Sequence, residues 1–259
     1  MRSARLTDGS DPVVLVAHGS RDRRAAVATE ALARAVAAAR PGLLVRASYL
    51  DHAPPRPATV LTELEAAGHP AVVLVPLLLT AAYHGRVDIP DAVVAARSAG
   101  LRIPVRITGV LGPTGGGPHP ELLAGLCRRL TEVAGPLSAG GDDAVDGVVL
   151  AAAGTRDAAA RRTVERAAEA LAAVLNVPTR VGYASASPPT AGAAVAELRA
   201  AGARRVAVAT YFLAPGRLYE TAMESARQAG AVALAAPLGD APELARLVLA
   251  RADEPHHSA

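Results

Sequence analysis

The 259-residue sequence carries one pattern twice, and that duplication restricts its possible folds more than any other feature. Val14-Leu15-Val16-Ala17-His18-Gly19-Ser20-Arg21-Asp22 parallels Val149-Leu150-Ala151-Ala152-Ala153-Gly154-Thr155-Arg156-Asp157. Ser48-Tyr49-Leu50-Asp51 with Pro54-Pro55 parallels Gly182-Tyr183-Ala184-Ser185 with Pro188-Pro189. The run Val72 to Leu79 parallels Val206 to Leu213, and His119-Pro120-Glu121-Leu122 parallels Ala241-Pro242-Glu243-Leu244. A repeat this long is a duplicated domain rather than a solenoid unit.

Within each copy, short aliphatic runs alternate with Ala/Arg/Glu-rich stretches of helical period. Near-continuous aliphatic runs fit strands buried on both faces of a parallel sheet. The expected strands lie near 13–17, 44–49, 72–78 and 104–110, then 146–152, 178–183, 205–212 and 231–236. The expected helices lie near 23–40, 57–67, 89–99 and 120–133, then 158–175, 189–201, 218–229 and 241–252. Asp88 before Ile89-Pro90 reads as an N-cap with proline in the first turn. The fold class is therefore α/β, with two similar domains, each a parallel sheet of about four strands flanked by helices. The expected boundaries are 12–134 for the first domain, 135–145 for a Gly/Pro-rich linker, and 146–252 for the second. The second half alone is expected to fold, or at least to be partly structured.

Composition narrows the function. Hydrophobic residues make up 51% of the chain but aromatics only 2%, so the core must be built from Ala, Val and Leu. A net charge of +3 without a basic block argues against a nucleic-acid partner. Cys127 is the single cysteine and reads as a small buried hydrophobe, which leaves no internal disulfide. Met1 to Asp11 lacks an apolar signal core, and no run approaches the ~18 apolar residues of a membrane span. A soluble, cytoplasmic protein is expected, with no membrane partner. The duplication supplies both halves within one chain, so a monomer is expected.

Two histidines stand where aliphatic runs stop: His18 after Val13–Ala17, and His84 after Val72–Leu79 and Thr80-Ala81-Ala82-Tyr83. Ligands of open parallel sheets bind beyond the carboxyl ends of the strands, so two imidazoles could meet there across one crevice. Such a pair suits a divalent metal and proton acceptance near neutral pH. A plainer reading has Gly19 serving a tight turn and His18 bonding a carbonyl. A phosphate site at Gly19-Ser20 lacks the glycine-rich fingerprints. His52 follows a strand but sits in a proline-rich loop, a weaker placement. His69 reads as solvated, and His119 beside Pro120 as a cap. Arg21, Arg23, Arg24 and Arg86 either form a solvated face with ion pairs to Asp22 or Asp88, or take substrate carboxylates. Tyr49 and Tyr83 either pack or wall a planar ligand.

The His-Gly-Ser-Arg-Asp turn at 18–22 and the Tyr-His-Gly-Arg-Val-Asp-Ile-Pro stretch at 83–90, in this order and with this duplication, resemble class II tetrapyrrole chelatases. The similarity is greatest to the sirohydrochlorin chelatases, which include cobalt- and iron-inserting members. The resemblance implies two chelatase-like domains facing a cleft, and insertion of Fe2+ or Co2+ into sirohydrochlorin on the way to siroheme or cobalamin. No organic cofactor is implied; the metal is a substrate, and a two-histidine site accepts Fe2+, Co2+ or Ni2+ alike. The family's two active-site histidines fall on His18 and His84, both as catalytic groups and as metal ligands. Ser20, Arg21, Tyr49, Tyr83 and Arg86 become the candidates for binding the carboxylate-rich tetrapyrrole. The family often carries Glu where this chain has Asp51. The second half has Ala153 in place of His18 and no histidine near Leu218, so only the first half carries the pair. The rival readings are a non-catalytic tetrapyrrole or metal carrier on the same fold, and a phosphate-binding α/β protein.

Overall fold

The computed structural model describes residues 10–80, 88–113, 116–135 and 144–255. Within them the first half forms β1 (Val13–Ala17), α1 (Arg23–Ala39), β2 (Val45–Tyr49), α2 (Pro57–Ala66), β3 (Val72–Pro76), α3 (Asp88–Ser98), β4 (Val105–Ile107) and α4 (Pro120–Ala134). The second half forms β5 (Gly147–Ala152), α5 (Ala158–Leu175), β6 (Thr179–Tyr183), α6 (Ala191–Ala200), β7 (Val206–Tyr211), α7 (Arg217–Gln228), β8 (Ala233–Leu234) and α8 (Pro242–Asp253). The strands make two four-stranded parallel sheets, ordered β2-β1-β3-β4 and β6-β5-β7-β8. The α/β duplicated architecture read from the sequence is the one observed.

β4 and β8 are shorter than their apolar patterns suggest. Both are edge strands, paired on one side only, and short edges leave fewer backbone groups open to another chain. Asp88 begins α3 rather than preceding it, so Asp88 and Asp91 both lie in its first turn, where carboxylates complement the helix dipole.

The side-chain alternation of the strands sorts the core into three regions. Val14, Val16, Val72 and Leu74 point to one face of the first sheet, where α2 and α3 supply Val60, Leu61, Leu64, Ile89 and Val93. Val149, Ala151, Val206 and Val208 do the same in the second sheet beneath α6 and α7. The opposite faces, with Val13, Leu15, Val73 and Val75 in one sheet and Val148, Leu150, Ala207 and Ala209 in the other, belong to a single shared core.

The helices filling that shared core exchange partners. α4, the last helix of the first half, packs against β7, β8 and α5 of the second. α8, the last helix of the second half, packs against α1 and β3 of the first. The two exchanged helices also pack on each other. Their seam carries a bidentate pair: Arg128 Nε and Nη2 donate to Glu243 at 2.8 and 2.7 Å. Arg246 donates to Glu121 at 3.0 Å, and Arg40 of α1 pairs with Asp253 at the end of α8. This exchange bears on whether either half keeps its structure alone. Removing either half strips a helix from the other's sheet.

Among the described residues, no helix is long and apolar enough to cross a membrane.

Candidate functional site

The carboxyl end of β1 opens directly into the first candidate motif. Ser20 Oγ accepts the Asp22 amide at 3.0 Å, and the Asp22 carboxylate caps α1 by accepting the Arg24 amide at 3.0 Å. The second half repeats this with Thr155 Oγ1 accepting from Asp157 and Asp157 capping α5. Ser/Thr-Arg-Asp is thus a turn-and-cap device in both copies. The copies differ at the residue before the glycine, His18 against Ala153.

That glycine has a strict reason to be glycine. Gly19 has φ +92°, and a Cβ there would lie 1.9 Å from the Asp51 carbonyl oxygen. Gly154 has φ +90° and would meet the Ser185 carbonyl at the same distance. The close approach follows from pairing beyond the strand ends: Leu50 N–H donates to Ala17 O and Asp51 N–H to His18 O, at 2.9 and 2.8 Å. The loop after β2 is thereby tied to the loop after β1.

This tie brings His52 to His18. Their ring centres are 6.4 Å apart and their planes stand at 85°. His52 has φ +60°, which turns its side chain out of the strand direction. Its amide donates to Asp51 Oδ1 at 2.8 Å, and its Nε2 lies 3.5 Å from Asp51 Oδ2. The His52 amide, followed by the His52 ring and the Arg56 guanidinium, holds the Asp51 carboxyl below the usual carboxylate range.

His18 lies where three cavities meet. One, about 190 Å³, runs over Tyr49, Thr29 and Leu77 to Leu213 and Pro215 of the second half. Another, about 330 Å³, crosses from His18 and Leu77–Thr80 to Ala152–Thr155, Tyr183 and Tyr211. The third, about 600 Å³, leads out past Asp51, Arg56, Asp88 and Asp91. The strand ends of both sheets therefore face one cleft, with His18 on the first half's wall and Ala153 on the other. Strand order reverses between β1 and β3, the place where open parallel sheets leave a crevice. Tyr211 bridges the floor, its hydroxyl donating to Leu79 O at 3.2 Å; burial pushes that phenol up.

The other sequence candidates divide. His84, Tyr83 and Arg86 lie outside the described residues. Arg21 is exposed on the rim. Ser20 lines the smaller cavity, with its oxygen engaged in the turn. Tyr49 lines the same cavity but is 1% exposed, and its hydroxyl donates to Ala26 O at 3.3 Å. Its ring forms the cavity's back wall. Arg24 pairs with Asp22 and, across the halves, with Glu220. His119 caps α4, its Nδ1 accepting the Glu121 amide at 3.2 Å. Cys127 is half-buried against the shared core, and burial pushes its thiol up. Among the described residues, no three metal-ligating side chains form a metal-holding group.

The sequence placed His52 in a proline-rich loop after a strand, and the structure sets it beside His18. The signal was available: β2 was expected to be a strand, and a residue three positions past Tyr49 stands at the same sheet edge as His18. The proline-rich composition of the loop obscured that placement.

The sequence model of the CbiX family matches residues 12–133 and 147–255, one match for each half. No curated protein matches the chain. Among solved structures, the fold is similar to SirB from Bacillus subtilis with Fe3+ (TM-score 0.77, 21% identity, 93% of this chain and 94% of that one). It is also similar to the sirohydrochlorin chelatase SirB from Bacillus subtilis subspecies spizizenii in complex with cobalt (TM-score 0.74, 21% identity, 94% of each chain). DR2241 from Deinococcus radiodurans, a multi-domain protein with structural similarity to chelatases, matches 94% of this chain and 54% of its own (TM-score 0.64, 21% identity).

Proposed function

Because the chain belongs to the CbiX family, we propose that it inserts a divalent metal, Fe2+ or Co2+, into sirohydrochlorin. The observation that carries this reading is the position of His18, an exposed imidazole at the meeting point of three cavities, two of which span both halves. The similar structures with Fe3+ and with cobalt favour a metal substrate of this class.

The chemistry asks for what the cleft provides. A tetrapyrrole loses two pyrrolic protons as it takes up M2+. Imidazole accepts a proton near neutral pH or binds a borderline metal, but one nitrogen cannot do both at once. With His18 and His84 as the working pair, the two tasks are divided between rings. Few protein ligands leave open positions on the ion, so it passes to the macrocycle rather than staying on the protein. The apolar wall of Ala152, Ala153, Phe212 and Leu213 offers a flat face for the macrocycle. Arg21 and Arg86 are assigned to its carboxylates, which guanidinium forks take in pairs. Ser20 and Tyr49 line the smaller cavity, and Tyr83 is the further candidate for binding the macrocycle.

Sirohydrochlorin absorbance, followed anaerobically with Fe2+, Co2+ and Ni2+ in turn and corrected for spontaneous insertion, tests the proposal. Turnover is expected with at least one metal, and His18→Ala should lower it at least tenfold while the fold persists. Tight stoichiometric retention of metal or tetrapyrrole without turnover would identify a carrier instead.

A further inference from the structure

His52 is not one of the two histidines, His18 and His84, that the sequence brings forward, yet it stands beside His18. We propose that His52 is a further metal ligand, and that His18 and His52 together hold the divalent ion at the cleft before the tetrapyrrole arrives. The proposal deepens the chelatase reading and rests on it only for what becomes of the ion.

The geometry allows one ion between the rings. An imidazole nitrogen binds a divalent metal at about 2.1 Å, and the ring centre lies about 1.1 Å further back, so a shared ion sets the centres at most about 6.4 Å apart. The observed separation is 6.4 Å, the limit reached with the ion in line between the rings. Both residues are exposed, so side-chain rotation alone can close the pair to the bent angle of a tetrahedral ion. The rings stand edge-on in a T, so the same rotation must also bring the ion into the plane of each ring, as coordination requires. Asp51 stands against His52 Nε2 at 3.5 Å. A carboxylate on one ring nitrogen orients the other toward a metal, which leaves Nδ1 of His52 as the ligating atom. The cavity reached by His18 and rimmed by Asp51, Asp88 and Asp91 gives the ion an acidic approach.

The second half serves as an internal control. Its loop has the same hydrogen bonds, with Ser185 N–H on Ala153 O and Ser187 N–H on Ser185 O, as Asp51 N–H on His18 O and Ala53 N–H on Asp51 O. Ala186 has φ +61° where His52 has φ +60°. Both imidazole positions are alanine there, and the backbone is the same. The turn therefore does not need either ring, and the two rings are present together or absent together.

Co2+ alone, titrated into the full chain and followed by its visible absorption and by calorimetry, tests this. One ion per chain is expected. His52→Ala, which reproduces the alanine already held in this conformation at position 186, should weaken binding at least tenfold without changing the melting temperature by more than a degree or two. His52→Asn, another residue suited to positive φ, should do the same. Wild-type affinity and spectrum in either variant, or no Co2+ binding by the wild-type chain, would overturn the proposal. Sirohydrochlorin turnover is read separately. Turnover with unchanged Co2+ binding in His52→Ala removes His52 and leaves the chelatase reading. Co2+ binding that depends on His52 in a chain without turnover keeps the ion site and removes the chelatase reading.

Discussion

At the residue scale, the two glycines after β1 and β5 separate stability from chemistry. Gly19 and Gly154 have matching backbone angles and matching clashes for an added Cβ. Alanine at either position must move the following loop, at a cost on the order of 1–3 kcal/mol. Both variants should therefore melt several degrees below wild type. Gly19→Ala should also depress chelation strongly, because the displaced loop carries Asp51 and His52 and the displaced turn carries His18. Gly154→Ala should keep most of the activity, since Ala153 and Ala186 have no ring to misplace. Equal loss of activity in the two variants, at equal stability, would place working groups in the second half as well. The single-residue signals were unevenly legible in the sequence. His18 and His119 announced themselves by a strand end and a following proline. Tyr49 did not reveal that its ring would be sealed behind the cavity, because alternation assigns a residue to a face and says nothing of how deep that face lies.

At the scale of elements, the exchanged helices rest on a buried carboxylate. Glu243 is 6% exposed, and the Arg128 guanidinium lowers its carboxyl to about 2. A carboxyl whose folded value lies below its unfolded value near 4.5 stabilises the fold above that unfolded value. The contribution is lost as pH falls from about 4.5 toward about 2. Glu243→Gln should flatten this part of the acid-unfolding curve, while Arg128→Ala should destabilise the protein at pH 7 by roughly 1–3 kcal/mol, through a carboxylate left buried without its fork. Melting temperatures at pH 7 and pH 3 for the three proteins decide the matter; parallel curves for all three would refute the assignment. This seam was not legible in the sequence. Leu122, Leu126 and Leu130 mark α4 as amphipathic, and Leu244, Leu247 and Val248 mark α8, but helical period does not say which sheet the apolar stripe covers. The strands were easier: their aliphatic runs place β1, β3, β5 and β7 at the sheet centres, and only the edges β4 and β8 fall short of their patterns.

At the scale of the whole molecule, the duplication was plain in the sequence and the interdependence of its copies was not. Repeated motifs show that two units share a plan, yet the shared core of both sheets makes each unit a cover for the other. Fragments 10–135 and 144–255, made separately, should each show reduced helix content and bind a dye for exposed apolar surface. Mixed or co-expressed, they should recover structure and chelation together. A first fragment that is folded, monomeric and fully active would refute this view of the assembly. The cleft belongs to the same scale, since its walls come from both halves and neither encloses it alone.

The helix exchange also sets an order of events during synthesis. The first sheet's inner face is covered by α1 and α8, and α8 ends at Asp253, so a ribosome must read nearly all of the described chain before the cover of Val13, Leu15, Val73 and Val75 is complete. Until then the nascent chain carries an open aliphatic surface, the kind that aggregates or recruits chaperones. Domain-by-domain folding during translation is closed to this protein. A premature stop anywhere before α8 leaves the first half unfinished as well as the second.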